Sequence, residues 1–377
     1  MKILIINTLK SGGIPHYTAC FGKGLYETAN EVKILTSNHK EYTFFDLKFP
    51  VKEFLYTDTE KIFQKIIRLL WNYTVIFFTL LFGKYDVLNF QWPVSIKIDP
   101  FFIKFIKIFY KKPIVFTVHD LIPLEYDLND FSKNPIFNKY NKFYNSFDKI
   151  IVHVDFIKKS AIKLFNIDEE KIFITPHGNY LNFLDFNKIY TKEEARKILN
   201  IPDNKFYVLF FGYIREYKGL DLLIKSLAYL PENVCILIAG KIVDKYILDL
   251  LNKDLKDRFY LFPEYINVNE SSKYFNASDL VCYPYKNIYQ SGSIQAAFAF
   301  STPVITSSLE SFTSIIKDSY NGYIFENLNY KDLADKILKI YNNSSKLKEI
   351  SKNAYNFAEK ELNWNNIAKK TIGIYKK

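Results

Sequence analysis

Short, continuous apolar runs alternate along this chain with longer stretches of helical periodicity, and that alternation sets the first expectation. Runs at Lys2 to Asn7, Glu31 to Leu35, Val87 to Phe90, Ile114 to Val118 and Lys149 to Val154 read as buried strands. A second set follows at Tyr207 to Phe211, Val234 to Ala239, Phe259 to Phe262, Leu280 to Tyr283, Pro303 to Thr306 and Gly322 to Phe325. Strands without internal polar alternation, separated by helices, predict parallel sheets covered on both faces. The chain therefore reads as α/β, with two Rossmann-like doubly wound units.

Local punctuation sharpens the picture. Ser11-Gly12-Gly13 turns the first strand into a helix running roughly from His16 to Glu27, as a Rossmann-like half begins, although the full dinucleotide fingerprint is missing. The turn suits close approach of a substrate to the backbone, or is a plain tight turn. Gln91-Trp92-Pro93 and His119-Asp120 each follow a strand and are expected at the carboxyl edge of the first sheet, where open α/β sheets bind ligands. In the second half, the run Val208 to Phe211 ends at Gly212, and a helical pattern starts near Gly219 with Leu220, Leu222, Leu223 and Leu227. Arg215 and Lys218 thus stand in a loop between a strand end and a helix start, a place suited to a diphosphate.

Two stretches carry a family resemblance. Phe210 to Leu227, FFGYIREYKGLDLLIKSL, resembles the donor-diphosphate loop of GT-B glycosyltransferases of group 1, also called family 4. Ser291-Gly292-Ser293-Ile294-Gln295, leading through Ala296 and Ala297 to Thr302-Pro303-Val304-Ile305, resembles the same family's glycine loop, helix and PVI strand, in the family's order. Pro176-His177-Gly178 is similar to the turn that closes the family's first domain, and Trp364 to Tyr375 to its closing helix, which crosses back. The resemblance implies an N-terminal acceptor-side domain over residues 1–182, a C-terminal donor-side domain over 183–360 and a closing segment over 361–377 facing a cleft between the domains.

It also implies the chemistry. The substrate is a nucleotide-diphosphate sugar, and catalysis must stabilise charge on the departing diphosphate. Arg215 and Lys218 supply the cations, with backbone donors around Ser291, Gly292 and Ser293. Gly13, Gly212, Gly240 and Gln295 complete the donor side, and Glu264 and Tyr265 flank the base. His119 is expected beside the donor sugar, as a hydrogen-bonding imidazole. His16, Gln91 and Trp92 are expected toward the acceptor. One departure matters: many members carry glutamates spaced E-x7-E, and seven and fifteen residues before Pro303 stand Ala296 and Ile288. Gln290-Ser291-Gly292 takes that place, as in a subset with an SG loop, and leaves donor identity open. Retention of anomeric configuration follows from the resemblance alone. With no DxD pair at a strand end, no metal or other cofactor is expected.

Composition changes the picture little. The chain of 377 residues is 49% hydrophobic and 24% charged, which excludes a disordered polymer. Its net charge of +11 suits a negatively charged neighbour. Nucleic acid is not expected, because no recognisable nucleic-acid module appears and the aromatics follow core patterns. Three scattered cysteines and the absence of a secretory leader after Met1-Lys2 read as a cytoplasmic protein. Phe63 to Phe82 is apolar over a bilayer's length but interrupted by Gln64, Lys65, Arg68 and Asn72. With Phe101 to Lys112 it forms either a basic, aromatic surface for an anionic membrane or a core helix with its lysines in water. The expected activity is hexosyl transfer to a glycan or polyprenyl-diphosphate-linked saccharide in bacterial surface polysaccharide assembly. The competing reading is a catalytically idle GT-B protein that partners active transferases at a membrane.

Overall fold

In a computed structural model of the chain, the described residues are 1–55, 62–181, 188–244, 257–289 and 291–377. Lys61, Gln290 and the expected domain junction at 182/183 lie outside them. The chain divides into two compact units, Met1–Gly178 with Leu362–Lys377, and Asn179–Glu361.

The first unit is a parallel sheet in the order β3-β2-β1-β4-β5-β6-β7. Its strands are β1 (Lys2–Asn7), β2 (Glu31–Thr36), β3 (Val51–Glu53), β4 (Val87–Phe90), β5 (Ile114–Thr117), β6 (Lys149–Val152) and β7 (Ile172–Ile174). Sequence patterning misses β3 and β7. Each is three residues long, too short for a periodic signal, and β3 is an exposed polar edge. The helix Gly13–Glu27 begins three residues before the expected His16. Gly12, at φ +95, makes the turn, and Pro15 is tolerated in a first turn that has no amide partner to lose. The closing helix Trp364–Lys376 belongs to this unit and packs along Gly13–Glu27.

The second unit repeats the plan with the order β10-β9-β8-β11-β12-β13. Here β8 is Phe206–Phe211, β9 Val234–Ala239, β10 Phe259–Phe262, β11 Leu280–Tyr283, β12 Val304–Ser307 and β13 Tyr323–Phe325. Its core is Val208, Phe210, Ile236, Ile238, Cys282 and Ile305 from the sheet, against Leu220, Leu223 and Leu227 on one side and Leu333 and Ile337 of helix Tyr330–Asn342 beside them. In each unit the order reverses once, between β1 and β4 and between β8 and β11. The loops leaving those strand pairs diverge and open a crevice at the carboxyl edge.

The helix Ile62–Gly83 is not the core helix that its periodicity also allowed. Phe63, Leu70 and Phe82 are 70%, 64% and 76% exposed, and Trp71, Phe78 and Leu81 also face solvent. Phe101, Phe105, Ile108 and Phe109 are exposed likewise. The buried contribution of Ile62–Gly83 comes from Asn72, Ile76 and Leu80, a narrow stripe.

Candidate active site

In the second unit the two motifs meet at the switch point. The loop after β8 runs from Gly212 to Gly219, and the loop after β11 from Pro284 to Ser291, so neighbouring strands deliver them side by side. Their join is tight: the Lys286 amide donates to the Tyr217 carbonyl at 2.7 Å, and a Cβ on Gly219 would sit 1.9 Å from the Pro284 oxygen. Gly219 has φ +69, so only glycine fits there on both counts. Gly212 and Gly240 show the same logic one strand over, where a Cβ on Gly240 would lie 2.0 Å from the Gly212 oxygen.

Lys218 ends buried, at 8% exposure. Its Nζ lies 5.4 Å above the centre of the Tyr285 ring and against the Gly212 turn. Burial holds the ammonium below the usual lysine range, and the Arg215 charge adds to that. Among the described residues no carboxylate pairs with Lys218 or with the exposed Arg215. By contrast, Lys286 nearby is neutralised by Asp221 at 2.9 Å. Burying a cation without a counter-ion is costly.

Tyr285 links the loops. Its hydroxyl meets Ser293 Oγ at 3.3 Å, Ser293 Oγ meets Ser291 Oγ at 3.0 Å, and Tyr283 donates to the Ser293 carbonyl at 2.7 Å. Burial raises the Tyr285 phenol to about 12, so it stays a neutral hydrogen-bonding group. Sequence reasoning found the serines and glycines but not Tyr283 and Tyr285, whose pattern Tyr-Pro-Tyr after a strand was the available signal. Gln295 is fully buried, with neither end of its amide partnered among the described residues, and Gly292 stands just before the helix Ser293–Ala299. Ala296 and Ile288, where the family's glutamates would stand, are buried too. Glu264 and Tyr265 are exposed in the turn after β10, with the Tyr265 ring 5.8 Å from that of Tyr213.

In the first unit the adjacent strands β4, β5, β6 and β7 lead into Gln91, His119, His153 and His177 at the carboxyl edge, all four buried. The edge of Tyr17, from helix Gly13–Glu27, touches all three imidazoles, with ring centres 4.7, 5.2 and 4.9 Å away, and Trp364 closes the cluster at 5.1 Å. Burial pushes His153 down to about 4 and His177 to about 3, and holds His119 well below the usual imidazole range. All three are therefore neutral at physiological pH. His177 is part of this cluster and more than a turn residue; Gly178 beside it must be glycine because a Cβ would strike the Trp364 ring at 2.3 Å.

Four other residues of this unit expected at the site are placed as follows. Gln91 was expected to face an acceptor, but it is fully buried, its amide nitrogen donates to Asn89 and Thr117, and its oxygen bonds to the His119 ring. His16 is engaged with Glu41 at 2.9 Å. A Cβ on Gly13 would meet nothing within 4 Å, and the left-handed conformation that favours glycine belongs to Gly12 at φ +95. Trp92 is half-buried.

Each unit is thus a doubly wound parallel sheet, of seven strands in the first and six in the second, with a glycine turn at its switch point, and the second unit buries a lysine there. The sequence profile of the glycosyl transferases group 1 matches residues 191–357, and that of glycosyltransferase family 4 matches residues 11–181. The chain belongs to the group 1 glycosyltransferases and has the GT-B fold. An uncharacterized glycosyltransferase of Methanocaldococcus jannaschii is 23% identical over 97% of this chain and 94% of its own length. A second from the same organism is 27% identical over 63% of this chain, and that match takes in 62% of the relative. HepE of Anabaena, solved with UDP and glucose, superposes with a TM-score of 0.79 at 17% identity, covering 99% of both chains. WaaG, a glycosyltransferase involved in lipopolysaccharide biosynthesis, does so at 0.70 and 16% identity, also over 99% of both.

Proposed function

We propose that this protein moves a hexose from a nucleotide-diphosphate sugar to a glycan or polyprenyl-diphosphate-linked acceptor in surface polysaccharide assembly, with retention of configuration and without a metal or other cofactor. The observation that carries the reading is Lys218, an ammonium buried without a carboxylate at the switch point of the second sheet. A diphosphate supplies the missing charge. As the bond from the anomeric carbon to the phosphate oxygen breaks, its electron pair goes to the diphosphate, and Lys218 and Arg215 stabilise that growing charge. The acceptor hydroxyl bonds to the anomeric carbon and passes its proton to an oxygen of the departing diphosphate. His119 accepts a hydrogen bond from the donor sugar. Backbone groups and the Tyr265 ring serve the base, for which uracil is the first candidate because HepE was solved with UDP.

The lipid-linked acceptor is favoured by the exposed apolar positions of Ile62–Gly83 and of residues 101–112, Phe63, Phe101 and Phe105 among them, with exposed Lys65, Lys104 and Lys112 in the same stretches of chain. Aromatics entering the acyl boundary while lysines meet anionic headgroups make a peripheral contact with the cytoplasmic leaflet. The idle-partner reading has one observation of its own, the apolar Ile288 and Ala296 in the glutamate positions. A thermal-shift panel of nucleoside diphosphates tests the main reading. One of them should raise the unfolding temperature in a concentration-dependent way, and no shift with any of them would refute it.

A further inference from the structure

The first unit contains a buried amide chain that ends on His119. His119 Nε2 donates to Gln91 Oε1 at 3.0 Å. Gln91 Nε2 donates to Asn89 Oδ1 at 2.9 Å and to Thr117 Oγ1 at 3.3 Å, and Asn89 Nδ2 donates to the Tyr375 hydroxyl at 2.6 Å. Thr117 also donates to Asn89 Oδ1 at 3.2 Å. Each amide thus accepts at its carbonyl and donates at its nitrogen, in one direction, from β5 across β4 to the closing helix. Every member is at most 5% exposed.

That polarity fixes the imidazole. With Nε2 carrying the proton, His119 Nδ1 holds a lone pair, and it is buried without a partner among the described residues. His153, whose ring centre is 5.4 Å away, does not satisfy it. His153 Nδ1 donates to the Thr175 carbonyl at 2.9 Å, so its unpartnered Nε2 is a second lone pair. Two buried acceptors at this edge thus have no donor among the described residues. The opposite His119 tautomer would set an Nε2 lone pair against the Gln91 carbonyl oxygen and make Nδ1 a donor.

We propose that Gln91, held by Asn89 and Tyr375, is a positioning residue that keeps His119 in the Nε2–H tautomer, so that Nδ1 accepts a hydrogen bond from a hydroxyl of the donor sugar. The inference rests on the reading of His119 as a sugar contact. Partners that orient a metal-bound imidazole through its far nitrogen are typically worth about 10–100-fold, and that range sets the scale for the same orienting role here. Gln91→Met removes the acceptor at nearly constant volume and should lower kcat by about that factor, with the nucleoside diphosphate dissociation constant unchanged. Tyr375→Phe leaves the Gln91–His119 bond in place but frees the Asn89 amide to turn, and should lower kcat less, in the same sense.

The deciding readout is the nitrogen-15 spectrum of the ring-labelled full chain. In the wild type, His119 Nδ1 should resonate as an unprotonated nitrogen and Nε2 as a protonated one, and both variants should shift toward a tautomer mixture. A protonated Nδ1 in the wild type, or an unaltered tautomer in both variants, overturns the positioning role. If the tautomers mix while kcat stays at the wild-type value, the proposal is also overturned, but the fault then lies with the role of His119 and not with the chain. Should Gln91→Met fail to fold, Tyr375→Phe gives the same decision.

Discussion

Replacing Lys218 by methionine should make the free protein more stable and the liganded protein less stable. The substitution keeps a flexible chain of similar length over the Tyr285 ring and removes a charge that is 8% exposed and lacks a carboxylate. Several kcal/mol of desolvation are relieved, roughly, while a cation–π contact of about 0.5–2 kcal/mol is lost. A net gain of about 1 kcal/mol is expected, or about 2–4 °C in unfolding temperature for a unit of this size. With nucleoside diphosphate at a hundred times the wild-type dissociation constant, the wild type gains about 2.7 kcal/mol. If the variant binds about a hundredfold more weakly, as for a lost charge-assisted contact, it gains only about 0.4 kcal/mol at the same concentration. The two stability curves therefore cross as ligand is added. Differential scanning fluorimetry with a ligand titration reads this directly. A variant that is less stable without ligand yet keeps wild-type affinity would show that Lys218 is a packing residue.

Further outcomes follow from the same geometry. Arg215→Ala, at an exposed position, should leave stability within about 0.5 kcal/mol and lower kcat about a hundredfold, measured by nucleoside diphosphate release. Activity should persist in EDTA, and loss on chelation with recovery on Mg²⁺ or Mn²⁺ would contradict the proposed metal independence. For the histidine cluster the sign is set by burial: His153 is held near 4 in the fold and returns to about 6.5 on unfolding. As pH falls from about 6 to about 4 the unfolded chain takes up a proton that the fold refuses, so stability falls. The difference between wild type and His153→Gln in urea should therefore shift against the wild type by about 1.4 kcal/mol per pH unit across that window, and a pH-independent difference would mean His153 is solvated. Wild-type protein should co-sediment with anionic liposomes at low salt and lose this when Lys65, Lys104 and Lys112 are all changed to Glu; Lys107 is left alone because it neutralises Asp148 at 2.7 Å.

The order of elements was readable because both sheets are parallel and largely buried, so the longer strands are mostly apolar runs, with Lys33 in β2 and Asn89 in β4 as interruptions. The loops were readable where backbone geometry demands glycine, at Gly212, Gly219 and Gly240. What escaped was every role set by partners distant in sequence. Gln91 looked like a ligand contact because it follows a strand, but Asn89 two residues earlier and Tyr375 far along the chain turn its amide inward. Likewise His153 and His177 look unremarkable singly; only the order β4-β5-β6-β7 makes them neighbours of His119. The exposed face of Ile62–Gly83 was ambiguous for a different reason: periodicity reports how apolar a helix is and not whether anything covers it.

The most direct test is turnover. Purified protein, freed of divalent metal, is incubated with a panel of radiolabelled sugar nucleotides, with and without membrane extract as a source of acceptor, and nucleoside diphosphate release is followed. Sustained release is expected from at least one sugar nucleotide, accelerated by acceptor and lost in Lys218→Met. Binding of a nucleoside diphosphate with no release from any sugar nucleotide would contradict it, and would identify the chain as a catalytically idle member of its family.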